Sequence, residues 1–130
     1  MLPPEHAVPV ESPLIERFYA AHDWSVTATM LAPDFVWIDQ DGKARKAKHL
    51  RSQSQWFEAA YDNAHATLDA VVADLGEPSV LYVRGVTHAR ARNRFQEPAR
   101  IDVAVWTRFV ITSDGTRIRQ IGPSSVIDGA

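Results

Sequence analysis

The chain is 130 residues long, 45% hydrophobic and 23% charged, a size and composition that suit one globular core and exclude disordered, collagen-like and low-complexity classes. Sixteen acids against fourteen bases give a net charge of −2, too small a field for generic binding to nucleic acid or to an anionic membrane. Cysteine is absent, which rules out disulfides, thiolate nucleophiles and cysteine-containing metal sites and suits a reducing, cytoplasmic setting.

Residues 1–13 hold Pro3, Pro4, Pro9 and Pro13 and are expected to form a flexible arm ahead of a single domain over 14–130. The opening residues also lack the basic start and unbroken apolar run of a signal peptide or membrane span. Ser12-Pro13 reads as a helix cap followed by proline at the first helical position, and Leu14, Ile15, Phe18 and Tyr19 then recur at helical spacing. A second short helix is expected over 24–31, capped by Asp23 or Ser25 and stopped by Pro33. Residues 34–39 (DFVWID) are rich in β-branched and aromatic side chains and run into the Gln40-Asp41-Gly42-Lys43 turn. Residues 47–60 place Leu50, Trp56, Phe57 and Ala60 on one side of a third helix. Strands are then expected over 64–74, 80–95, 101–112 and 117–126, the last two joined by Ser113-Asp114-Gly115-Thr116. Helices first and a long meander after them predict the α+β class, a curved antiparallel or mixed sheet wrapped around N-terminal helices.

Two stretches carry a resemblance. RFYAAHDWSVTATMLAPDFVWIDQDGKARKAKHL and the closing RFVITSDGTRIRQIGPSSV resemble the opening and the final hairpin of the nuclear transport factor 2-like superfamily, in its SnoaL-like and ketosteroid-isomerase-like small domains. The resemblance implies a cone-shaped α+β fold around a pocket, commonly a dimer through the outer sheet face. That superfamily holds isomerases, polyketide cyclases, epoxide hydrolases, dehydratases and non-catalytic domains, so the fold alone does not set the function.

Within that resemblance WIDQDG is similar to the segment in which ketosteroid isomerases keep a proton-shuttling carboxylate, which makes Asp39 the catalytic candidate. Strand alternation puts Trp37 and Asp39 on one face. A carboxylate beside an indole in an apolar cone would be desolvated, with its proton affinity raised. The alternative is an aspartate that caps the Gly42 turn. The carbonyl-polarising tyrosine and acid of those isomerases fall at Phe18 and near Thr107, so steroid-type isomerisation is not expected; Tyr19, one position away, and His65 beside Tyr61 are the candidate donors.

Phe18, Trp37, Trp56, Phe57 and Tyr61, with polar tips from Thr107, Gln120 and Ser124, would line a pocket for a small apolar molecule. Arg84, His88, Arg90, Arg92 and Arg94 fall on one face of a single strand, and Arg90, Arg92, Trp106 and Arg108 are the expected contacts of a homodimer on the outer face. The stripe could instead pair with Asp69 or Asp102. Residues 1–83 carry twelve acids and six bases and residues 84–130 four acids and eight bases, so the two parts attract each other or a partner. His22, His49 and His65 show no metal-ligand spacing, and no serine elbow, phosphate loop or dinucleotide fingerprint occurs, so neither metal nor cofactor is expected. The reading is a small-molecule-binding domain. The alternatives are a cofactor-free isomerase, cyclase or dehydratase using Asp39, and a protein-interaction module.

Overall fold

Ser12 and Pro13 start the first helix as their chemistry dictates. In a computed structural model, which describes residues 3–95 and 99–127, the Ser12 hydroxyl accepts the Ile15 N–H at 3.3 Å and α1 runs Pro13–Ala20 with Leu14 and Ile15 buried. Asp23 caps α2 (Trp24–Thr29) through the Ser25 N–H at 3.0 Å. That helix ends earlier than the sequence predicts. Strand β2 (Leu31–Ile38) starts before Pro33, because its pairing with the last strand slips between Leu31 and Val36, so the missing proline N–H interrupts no regular ladder.

A hairpin returns β3 (Ala44–Arg45) onto β2, and α3 (Ala47–Ala60) follows with the boundaries its sequence predicts. Strands β4 (Tyr61–Ala73), β5 (Val80–Ala91), β6 (Arg100–Ile111) and β7 (Ile118–Val126) form the meander. Val8–Pro9, labelled β1, pairs with Val72 and Ala73, so the N-terminal arm, expected to be loose, closes one edge of the sheet. The sheet is curved and unclosed, in the order β1-β4-β5-β6-β7-β2-β3, antiparallel except between β2 and β7. Helices segregated from such a sheet make the α+β class. Among the described residues no helix is long and apolar enough to cross a membrane.

The inner sheet face carries the core. Leu81, Val83, Phe109, Ile118 and Ile121 meet Leu14 and Ile15 of α1 and Phe35 of β2. Phe109 is 1% exposed, with its ring 5.7 Å from that of Phe18. Tyr19 packs against Gly85: a Cβ there would stand 2.9 Å from the ring's Cε2 and 3.1 Å from its hydroxyl, which is why this strand position is glycine. In contrast to α1, helix α3 buries no residue fully.

Candidate functional site

The β2–β3 hairpin is built on Asp39. Its Oδ1 accepts the Asp41 and Lys43 N–H groups, both at 2.9 Å, and Oδ2 accepts Arg45 Nε–H at 2.8 Å. Gly42 supplies the positive φ of 78° that the turn needs. Arg45 lies directly opposite Trp37 in the β2–β3 register, so indole and guanidinium project from the same face. Across from them α3 presents His49, Ser52 and Gln53, a spacing that keeps all three on one helix face. Trp37, Asp39, Arg45 and these three line an open cleft of about 450 Å³, within the size range of small-molecule sites. A second cleft, of about 400 Å³ beside Pro33 and Thr112 and also within that size range, has its cations already partnered within the chain: Arg119 by Asp34 at 2.6 Å and Arg117 by the Thr29 carbonyl at 2.9 Å.

The electrostatics of Asp39 reverse the expectation of a raised proton affinity. The Arg45 hydrogen bond first, then the backbone N–H of Lys43, hold its carboxyl below the usual carboxylate range, against a smaller opposing effect of burial. Because the folded state prefers the carboxylate, its contribution to stability is present above the unfolded-state pKa and is lost as pH falls through the lower folded value. Acidification should therefore loosen the hairpin around Gly42, seen as loss of amide protection at Lys43, and Asp39→Asn should flatten that local pH response.

The other sequence candidates are dispersed. Tyr19 is core: burial pushes its hydroxyl up to about 12, and it makes no hydrogen bond among the described residues, so it stands against Gly85 rather than in the cleft. His65 lies on the outer face, its ring stacked 4.9 Å from that of His88, because the β4–β5 register sets the two opposite each other. Phe18 packs on Phe109, and Phe57 on the buried Tyr61 at 5.3 Å. Trp56 is 59% exposed. Thr107 and Ser124 bond each other at 2.9 Å on the inner face, whereas Gln120, paired with Val110, faces outward and donates to the Gly122 carbonyl. Of the expected lining only Trp37 and Asp39 reach the cleft, whose walls mix polar side chains with apolar surface instead of being a mainly aromatic pocket.

The arginine stripe is also shorter than expected. Arg84 pairs with Asp69 at 3.1 Å and His88 with Asp102 at 2.7 Å, on the face that also carries Arg90, Trp106 and Arg108. Strand β5 ends at Ala91, and Arg92 just beyond it is engaged within the chain: its Nε and Nη2 donate to the Ala59 and Glu58 carbonyls at 2.8 and 2.9 Å, and Nη1 meets Asp62. It thus satisfies the carbonyl end of α3, where a cation is favoured. The sequence analysis missed Arg45, His49, Ser52 and Gln53 as cleft residues. The last three were legible as one helix face, whereas Arg45 becomes a neighbour of Trp37 only through the β2–β3 register.

An open seven-stranded sheet with a parallel β2–β7 pair and a helix beside the β2–β3 hairpin is a distinctive arrangement, and residues 14–121 match the SnoaL-like domain family. The chain belongs to that family. No curated protein matches this SnoaL-like domain in sequence, but solved structures share its fold. One is wild-type IdmH of Streptomyces antibioticus, a proposed polyketide cyclase, with 16% identity, a TM-score of 0.70 and coverage of 87% of this chain and 88% of that one. AclR of Streptomyces galilaeus, a proposed hydroxylase, gives 12%, 0.68, 88% and 73%. A Catenulispora acidiphila protein of ketosteroid isomerase-like fold, in complex with trimethylamine, gives 14%, 0.67, 85% and 84%. At 12–16% identity these likenesses speak for the fold alone; it is the family match over residues 14–121 that supports the nuclear transport factor 2-like superfamily.

Proposed function

We propose that this protein binds a small, flat molecule in the cleft between the β2–β3 hairpin and α3. The observation that carries the reading is the convergence of one aromatic surface, Trp37, with the polar groups of Arg45, His49, Ser52 and Gln53 around about 450 Å³ of open space, a combination that fits small-molecule sites. The ligand's ring lies against Trp37 and its polar atoms face α3. In a screen of aromatic fragments followed by amide chemical shifts, binders are expected to perturb residues 37–45 and 49–53 together. Trp37→Ala should weaken them up to about tenfold, the worth of one aromatic contact. Binders that shift only the outer sheet face would refute the assignment.

A second reading, cofactor-free acid/base conversion of the bound molecule, is favoured by the fold shared with IdmH, a proposed cyclase. In it Asp39, held as a carboxylate, accepts a proton through the lone pair its three hydrogen bonds leave open. His49 is the other ionisable side chain on the facing wall.

A further inference from the structure

We infer that the cleft selects planar carboxylates, with Arg45 as the recognising group and Asp39 as the residue that positions it. The inference rests on the cleft being the binding site proposed above. Asp39 spends three acceptor positions inside its own hairpin, two on backbone N–H groups and one on Arg45 Nε. Such an aspartate serves as an anchor. What it anchors is a guanidinium fixed through Nε alone: Nη1 and Nη2 have no partner among the described residues, and the side chain is 39% exposed against 11% for Asp39. Two parallel N–H donors in a fixed plane are the fork that matches a carboxylate bidentately.

The neighbouring indole supplies the rest of the specificity. Because Trp37 and Arg45 are cross-strand partners on one face, a ring resting on the indole would carry a substituent toward the guanidinium. The surrounding field has the matching sign. Residues 43–51 contain Lys43, Arg45, Lys46, Lys48 and Arg51 and no acid, and all of these except Arg45 make no ion pair among the described residues. Asp41 lies in the lining without a cationic partner among the described residues, but it is outnumbered by these four cations. A cationic ligand would meet Asp41 alone, since Asp39 is already neutralised.

The test uses the full chain with 2-naphthoate and its neutral isostere 2-naphthamide, followed by amide shifts and calorimetry. Naphthoate is expected to bind about tenfold or more tightly than the amide, the worth of a charge-assisted pair. That preference should survive about 0.5 M salt, which screens the diffuse lysine field but not a contact pair. Arg45→Gln should weaken naphthoate far more than naphthamide and close most of the gap between them, and retained naphthamide shifts over residues 37–53 certify an intact cleft. If the hairpin fails in that variant, Arg45→Lys, which keeps the charge and loses the fork, should still lose most of the preference. Equal binding of the two ligands, a preference abolished by salt, displacement of naphthoate by equimolar inorganic phosphate, or indifference to both Arg45 variants would each overturn the inference and leave the cleft standing as a site. If neither compound shifts residues 37–53, the underlying proposal fails as well.

Discussion

Truncating Phe109 to alanine is expected to destabilise the protein by about 3–5 kcal/mol, the usual cost of removing a buried phenyl ring from a core that cannot fully close. The ring is 1% exposed at the middle of the inner sheet face. It touches Phe18 edge-on at 5.7 Å and Tyr19 at 6.4 Å, so the cavity would open directly beneath α1. That helix fully buries only Leu14 and Ile15 otherwise. Since a domain of this size holds roughly 5–15 kcal/mol in total, the variant should sit near its unfolding transition. Urea denaturation should show a lower midpoint at unchanged slope. A cost below about 1 kcal/mol, well under that of a buried ring, would mean that the aromatic cluster is not what joins α1 to the sheet.

Gly122→Ala should be comparably severe for a different reason. Its φ of 103° lies where L side chains are strained, and a Cβ would stand 2.6 Å from the Ile38 carbonyl oxygen and 3.0 Å from the Ile38 Cβ. A backbone oxygen cannot rotate away as a side-chain tip can, so β7 and β2 must separate at the point where Ile121 pairs with Trp37. Strain and overpacking together suggest about 3 kcal/mol or more. Gly42 and Gly115 provide the comparison: both have positive φ but nothing within 4 Å of a built Cβ, so alanine there should cost only the left-handed backbone penalty of about 1–2 kcal/mol. The comparison is made by thermal and chemical unfolding of the three single variants. If all three proved alike, the close approach of β7 to Ile38 would lose its meaning.

The regular elements were legible because local chemistry agrees with tertiary context in them. Ser12-Pro13 caps and starts α1, residues 47–60 keep their helical pattern, and the Asp114-Gly115 turn closes the last hairpin. Where the two disagree the sequence misleads. Pro33 reads as a stop but sits in an irregular stretch of strand, and Val8-Pro9 reads as a loose arm but finds an open sheet edge. Strand alternation correctly put Asp39 on the face of Trp37, yet its charge state depends on Arg45, six residues on, a partner visible only once the turn is placed in register. Tyr19 was ambiguous for a similar reason. Nothing local to α1 says that Gly85, far along the chain, leaves the hollow its ring occupies.

Helix α3 has no fully buried residue, and its far end is tied down by hydrogen bonds from Arg92 to its last carbonyls. One wall of the cleft is thus fastened to the scaffold at its far end, while Ala47 and Leu50, both only partly buried, pack its first turn against the hydrophobic core. His49, Ser52 and Gln53 can accordingly be exchanged with little effect on folding, within about half a kcal/mol for surface positions of this kind. This face of α3 can therefore vary while the core stays as it is, and in the proposed site it is the wall on which a ligand preference could be retuned without rebuilding Trp37 or the Asp39 hairpin.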